Sequence, residues 1–246
     1  MTLSGKLSVI GFGPGDKSNM TFRAADALLS SDVIFGYEVY TDLLKKYFPD
    51  LNYRPSKMLK EVERCTEAIE EAENGGTVAI VSSGDSGIYG MAGIIYQIAD
   101  ARGSAIDIEV IPGITAASSA ASLLGAPLMH DTAIISLSDL LTPLDLIMKR
   151  VECAGTGDMI VCLYNPKSKK RSDHVEKAAD ILLRFRKGDT PAGIARNIGR
   201  DDENITITRL DELKDADIDM FSTVIIGNSQ TFVSNGRMIT PRGYRV

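Results

Sequence analysis

The chain has 246 residues, room for one large domain or two small ones at roughly 150 residues each. Its 27 basic and 33 acidic residues leave a net charge of −6, which opposes the positive field that wrapping nucleic acid or adhering to anionic membrane requires. A hydrophobic content of 44% with 24% charged residues excludes general disorder and supplies a core, although Trp is absent.

Residues 7–10 read as a strand that runs into Gly11-Phe12-Gly13-Pro14-Gly15-Asp16. Thr21 is placed to cap a helix with Ala24, Ala25, Leu28 and Leu29 on one face, and a second strand is expected at 32–35. Leu59, Val62, Cys65, Ile69 and Ala72 are spaced by threes and fours, which predicts an amphipathic helix stopped by Gly75-Gly76, with Cys65 in the core. Residues 77–81 are almost wholly apolar, as in a parallel strand covered on both faces. They lead into Ser83-Gly84-Asp85-Ser86-Gly87-Ile88-Tyr89-Gly90 and a helix over 91–101. A strand at 106–111 is followed by Pro112-Gly113-Ile114-Thr115-Ala116 and an Ala/Ser-rich helix. Three strands thus end in glycine-bearing loops, which an open parallel sheet gathers at its carboxyl edge, where ligands bind.

The uncharged run 110–129 is long enough to span a membrane. Pro112, Gly113, Gly125, Pro127 and the hydroxyls of Thr115, Ser118, Ser119 and Ser122 make it too polar for one. The N-terminus does not read as a signal peptide. Cys65, Cys153 and Cys162 form no CxxC pair, so neither a disulfide framework nor a protein-built metal site is expected, and a cytoplasmic location is.

The pattern resets near Gly125-Ala126-Pro127-Leu128, setting the expected domains at 1–126 and 127–246. Beyond it, strands are expected at 133–136, 159–164, 192–196, 205–208 and 223–227, and helices at 144–154 and 175–186. The last three strands have little helix between them, which predicts antiparallel pairing. The expected fold is two α/β domains, the N-terminal one with a mostly parallel sheet and the C-terminal one with a mixed sheet.

Asp16 stands where the dinucleotide fingerprint needs its third glycine, and no Gly-Lys-Ser/Thr follows any glycine loop, so pyrophosphate binding is not indicated. The first loop is either part of a ligand site or only a tight strand-to-helix turn. Two acidic, glycine-rich loops on one edge suit a cationic ligand rich in hydroxyl and amino groups. S-adenosylmethionine fits, having an ammonium, a sulfonium and a ribose but no phosphate; glycines let backbone carbonyls approach it closely. The alternative for Asp85 is a plain helix cap.

Lys167-Ser168-Lys169-Lys170-Arg171 is a basic cluster at an expected helix start, where cations oppose the helix dipole. Binding a polycarboxylate would offset that cost, with Arg242 in the C-terminal Thr240-Pro241-Arg242-Gly243-Tyr244 adding to it; the alternative is a solvated helix start. His130 beside Asp131 is open to an acid–base role, and His174 reads as a surface residue. Ser138 and Asp139 read as cap and turn, with no His at triad spacing.

The first loop, Gly84-Asp85 with Ile88-Tyr89-Gly90, and Pro112-Gly113-Ile114-Thr115-Ala116 resemble the three signature loops of the tetrapyrrole (class III) methyltransferases. Gly36-Tyr37-Glu38-Val39-Tyr40, the segment from Ser82 to Ala92, Ser136-Leu137-Ser138-Asp139-Leu140-Leu141-Thr142-Pro143, the segment from Tyr164 to Arg171, and Ile239 to Tyr244 resemble the branch that acts on C17 of precorrin-3B or cobalt-factor III. The resemblance implies a dimeric two-domain enzyme with S-adenosylmethionine in a cleft between the domains. It places the donor at Pro14, Gly84, Asp85, Ile88, Thr115, Ala116, Asn165 and Gly193. It implies C17 methylation with ring contraction in corrin synthesis, the substrate's carboxylate arms meeting Lys167, Lys169, Lys170, Arg171 and Arg242. Proton movement during contraction has Asp16, Ser138, Asp139 and His130 as candidates. Competing readings are another tetrapyrrole methyltransferase, a ribose methylase of ribosomal RNA, which the net charge opposes, and a non-catalytic sensor of the donor or the ring.

Overall fold

Alternation along β1 (Lys6–Gly11) sends Leu7 and Val9 to one face of a sheet and Ile10 to the other. In the computed structural model, which describes residues 5–168 and 171–245, this strand is central to the first of two units, Met1–Ala116 and Ala117–Val246. There follow α1 (Phe22–Leu29), β2 (Val33–Tyr37), α2 (Glu38–Lys45), β3 (Tyr53–Ser56), α3 (Glu61–Glu73), β4 (Thr77–Ser82), α4 (Ala92–Arg102) and β5 (Asp107–Ile111). The five strands pair in parallel in the order β3-β2-β4-β1-β5. Val78 and Ile80 of β4 join Leu7 and Val9 under α3 and α4; Ala79 and Val81 join Ile10 under α1 and α2. Both faces are covered, which is why β4 reads as a nearly unbroken apolar run.

Thr21 caps α1 as expected, its hydroxyl accepting from Ala24 N–H at 3.1 Å. Helix α3 departs from its expected face. It begins only at Glu61; Leu59, at φ +65°, and Val62 are exposed, while Arg64 and Ala68 join Cys65, Ile69 and Ala72 in the interior. Arg64 is held there by Ser56 Oγ at 2.5 Å and Met91 Sδ at 3.7 Å.

The second unit contains α5 (Ala116–Leu124, of which Ala116 closes the first), β6 (Gly125–Ala126), β7 (Thr132–Ser136), α6 (Leu144–Thr156), β8 (Ile160–Tyr164), α7 (His174–Leu182) and β9 (Pro191–Arg196). It continues with β10 (Asn204–Arg209), β11 (Ser222–Ile226), β12 (Phe232–Ser234) and β13 (Arg237–Ile239). Its main sheet is ordered β10-β9-β11-β8-β7 and is mixed, with β7 parallel to β8 and the other neighbours antiparallel. A small sheet, β12-β13-β6, lies in the same unit. Helices α6 and α7 cover one face of the main sheet.

The division at Ala116 and Ala117 precedes the expected 126/127, because Leu124 of α5 packs against Gly193 on β9. Helix α7 stops at Leu182 and not at 186, since the Arg186 guanidinium turns back to donate to the carbonyls of Met159 and Gly227.

Cys65 and Cys162 are buried and Cys153 is exposed. Burial pushes both interior thiols up to about 12, so neither supplies thiolate near neutrality. A maleimide should label Cys153 alone in the native protein and all three cysteines after unfolding, as read by intact mass.

Candidate functional site

Strands β1, β4 and β5 end level with one another: Gly11 faces Ser82, and Ile10 faces Ile111. Their loops are fused by backbone contacts that tolerate no side chain. A Cβ on Gly113 would lie 2.2 Å from Gly84 O and 2.5 Å from Gly11 O; one on Gly11 would lie 2.7 Å from Gly84 O. Gly13 and Gly84 exchange N–H···O bonds of 3.1 and 2.7 Å, and both need positive φ, +82° and +70°. Buried Pro14 follows this bridge, and a Cβ added to Gly84 would lie 3.7 Å from Ala116 N and 3.9 Å from Thr115 Cα.

Asp85 ties this assembly together. Its Oδ1 accepts from Gly87 N–H at 2.8 Å and Ile88 N–H at 3.1 Å, while Oδ2 crosses to Gly113 N–H at 3.0 Å. A carboxylate has about four acceptor sites, so three are spent inside the protein and one is left. Asp85 is no cap for α4, whose N-cap is Met91. The following Gly87, Ile88 and Tyr89 are exposed, and Tyr89 holds φ +56°, a strained conformation for a bulky residue. A loop with a residual acceptor, open glycine backbone and exposed apolar side chains fits a ligand that combines a cationic end with an aromatic base.

The other first-unit candidate is committed elsewhere. Asp16 caps the 3-10 turn Lys17–Asn19, accepting from Asn19 N–H at 2.9 Å, Asn19 Nδ2 at 2.8 Å and Ser18 Oγ. Partial burial pushes its carboxyl up, but these hydrogen bonds outweigh that and hold it below the usual range. It is therefore ionised near neutrality and unsuited to donate a proton there.

In the second unit, Ser138 and Asp139 follow the carboxyl end of β7, whereas His130 precedes its amino end. A five-residue strand of roughly 3.3 Å per residue separates them, which removes His130 from their company. His130 is half-exposed and accepts from Asp131 N–H at 3.1 Å, a local turn contact.

Asn165 is exposed, sits at φ +50° after β8 and donates from Nδ2 to Ser136 Oγ at 3.0 Å, which ties its side chain to β7 through one of its polar groups. Gly193 is enclosed: flanked by β10 and β11, its Cβ position lies 2.5 Å from Leu124 Cδ1 and 2.7 Å from Met238 Sδ. Its missing side chain makes room for packing.

The described residues of the basic cluster, Lys167, Ser168 and Arg171, lie before a helix and not in its first turn. Helix α7 begins at His174 with Asp173 as N-cap, so the dipole argument falls away. Lys167 is partly exposed, Arg171 is buried and Arg242 is exposed; Lys169 and Lys170 lie outside the described residues. The Arg171 Nε is buried with no hydrogen-bond partner among the described residues.

His174 overturns its expected surface position: it is 5% exposed. Its Nε2 lies 3.3 Å from Asp139 Oδ2 and its Nδ1 3.1 Å from Asp173 Oδ1. No local sequence signal joins positions 139 and 174; the parallel pairing of β7 and β8 does. Among the described residues no group of His, Cys, Asp and Glu could hold a metal ion, and no helix is long and apolar enough to cross a membrane.

Comparison with known proteins covers nearly the whole chain. The family model for tetrapyrrole (corrin/porphyrin) methylases matches residues 6–214. A Salmonella typhimurium relative named probable cobalt-factor III C(17)-methyltransferase is 46% identical over 97% of this chain and 99% of its own length. One from Priestia megaterium, named cobalt-factor III methyltransferase, is 47% identical over 99% of this chain. This chain spans 46% of that longer protein. The solved structure of the methyltransferase CobJ is 33% identical, with a TM-score of 0.89 covering 97% of this chain and 100% of that one. With the match running through all three glycine loops and into the second unit, the chain belongs to the tetrapyrrole (corrin/porphyrin) methylase family.

Proposed function

We propose that the chain transfers the methyl group of S-adenosylmethionine to C17 of cobalt-factor III, with contraction of the macrocycle, during assembly of the corrin ring of cobalamin. The observation that carries this reading is the 46% identity, over nearly the whole of both chains, to a relative named for that reaction. The cobalt belongs to the substrate.

Pro14, Gly84, Asp85, Ile88, Thr115 and Ala116 are the residues we assign to the donor. When bound, the sulfonium supplies an activated methyl group that an electron-rich ring carbon can take directly. What remains for the protein is alignment and exclusion of water, for which a rigid glycine interlock is suited. Asp85 holds the loops in register and offers its remaining acceptor site to the cationic end of the donor. Of the proton-transfer candidates, Ser138 and Asp139 stay in the proposal, and Asp16, held ionised, stays only as a proton acceptor; His130 lies at the opposite end of β7.

Lys167, Arg171 and Arg242, with Lys169 and Lys170, suit the carboxylate arms of the ring. Neutralising Lys167 and Arg171 together should raise the KM for the ring at least about ten-fold while leaving donor affinity unchanged, because charge-assisted bonds are worth about 1.5–3 kcal/mol each. Steady-state kinetics and calorimetry read the two quantities separately.

The reading itself is tested by incubating the purified chain with methyl-labelled donor and either cobalt-factor III or its metal-free counterpart precorrin-3B. Label in the cobalt ring, with a changed visible spectrum, is the expected result. Turnover of the metal-free ring alone would move the assignment to precorrin-3B, and binding of donor and ring without turnover would mark a sensor. A homodimer and a cytoplasmic location belong to the same reading, the first decided by light scattering.

A further inference from the structure

The five parallel strands of the first unit send their loops to one edge of the sheet, so the loop after β3 shares that edge with the glycine loops. Residues 57–60 form this loop, between Ser56 at the end of β3 and Glu61 at the start of α3. Met58 is 46% exposed, Leu59 71% and Val62, in the first turn of α3, 62%. Leu59 holds φ +65°, a left-handed conformation that glycine adopts freely and leucine only at a cost. Its N–H donates to Glu61 Oε1 at 3.2 Å, which fastens the turn to the helix. With most of its side chain in solvent, Leu59 has little packing to offset that strain. A strained leucine held outward beside two further exposed apolar side chains marks a contact surface.

Contacts within the unit tie this segment to the loop assigned to the donor. Arg64 Nη1 donates to Ser56 Oγ at 2.5 Å, at the root of the 57–60 loop, and its Nη2 reaches Met91 Sδ at 3.7 Å. Cys65 Sγ lies 4.0 Å from the same sulfur. Met91 directly follows Gly90, where the donor loop ends, and is the N-cap of α4. In the order β3-β2-β4, two strand spacings of about 4.8 Å set the β3 loop about 10 Å from the β4 loop. A ligand touching both loops must be broad. The patch is edged by two cations: Lys60, paired with Glu63 at 2.5 Å, and Lys57, which is exposed and has no ion pair among the described residues. Apolar side chains beside an unpaired ammonium complement an apolar ring face with carboxylate arms, and not a cationic donor.

We propose that the 57–62 segment is a rim of the macrocycle's binding surface, in which Met58, Leu59 and Val62 cover the apolar face of the ring and Lys57 meets one of its carboxylate arms, an assignment that rests on the tetrapyrrole reading above.

Asparagine tolerates left-handed backbone, so Leu59→Asn keeps the turn and removes the apolar contact. It should raise the KM for cobalt-factor III at least about ten-fold, a difference of about 1.4 kcal/mol, without lowering Tm. The loss should fall on KM, since a contact remote from the reacting carbon is made alike in the ground and transition states. Lys57→Gln should raise KM about two- to five-fold, the range of exposed ion pairs, and its difference from wild type should shrink as salt is added. Leu29→Asn is the control: Leu29 is 59% exposed, but at the end of α1 that leads into the amino end of β2, and KM should stay at the wild-type value. Titrating the ring by its visible absorbance without donor gives Kd beside KM, and Kd decides alone if the ring is bound without turnover. Wild-type KM and Kd in both loop variants, in a chain that methylates the ring, overturn the proposal and leave the tetrapyrrole reading standing. An unchanged KM with lost self-association in Leu59→Asn, read by light scattering, assigns the patch to a second copy and overturns it as well. A wild-type chain that neither binds nor methylates the ring overturns both.

Discussion

Gly113→Ala should sharply lower both stability and donor affinity, whereas Gly93→Ala should stabilise the chain. The added Cβ at 113 meets two carbonyl oxygens at 2.2 and 2.5 Å, and both belong to the backbone of neighbouring loops. Neither can swing aside as a side-chain tip would, so the three loops must separate. The cost is about 3 kcal/mol or more, the upper end of overpacking penalties. That is a large share of the roughly 5–15 kcal/mol that holds a folded protein together. Gly93 is the internal control: it lies in α4, is exposed, and a Cβ there meets nothing within 4 Å. Alanine should add about 0.5–1 kcal/mol by restricting the unfolded chain and favouring helix. Urea unfolding of both variants, with calorimetric titration of S-adenosylmethionine, reads the contrast. A Gly113→Ala protein of wild-type stability and donor affinity would show that the interlock is dispensable.

The contrast marks where the sequence was informative. Strand β4 was legible because a parallel strand buried on both faces leaves a nearly unbroken apolar run, and β1 and β5 because each short β-branched run leads into a glycine-bearing loop. The antiparallel set β9, β10 and β11 was legible from the short connections between them. Helix α2 gave no start signal: Tyr37, its N-cap, makes no side-chain capping bond, so nothing in Gly36-Tyr37-Glu38 separates strand from helix. At α3 the three–four spacing held for Cys65, Ile69 and Ala72, but the chain buries the Arg64 guanidinium against Ser56 and Met91 and leaves Val62 outside. The site divides in the same way. That Asp85 and three glycine loops belong together followed from reading their strands as one open parallel sheet. That its carboxylate would be spent on amides of two loops, or that His174 would be buried beside Asp139, depends on contacts between distant segments, which no local pattern encodes.

Asp85→Ala is expected to reduce donor affinity at least ten-fold, or about 1.4 kcal/mol, and to lower stability as well. The side chain now satisfies three amides. Those of Gly87 and Ile88 lie in exposed residues and can turn to water, but the Gly113 N–H is partly buried and loses its acceptor. That single loss is worth about 1–3 kcal/mol, so a drop in Tm should accompany the weaker binding. Asp85→Asn separates the two effects. Its amide oxygen can keep the bond to Gly113 or the pair to Gly87 and Ile88, but it carries no charge toward the sulfonium and ammonium of the donor. If the negative charge itself is used in binding, Asn should recover most of the lost stability and little of the lost affinity. If Asp85 acts only by tying the β4 and β5 loops, affinity and stability should recover together. Calorimetry on both variants distinguishes these outcomes, and unchanged affinity in Asp85→Ala would remove the carboxylate from the donor site altogether.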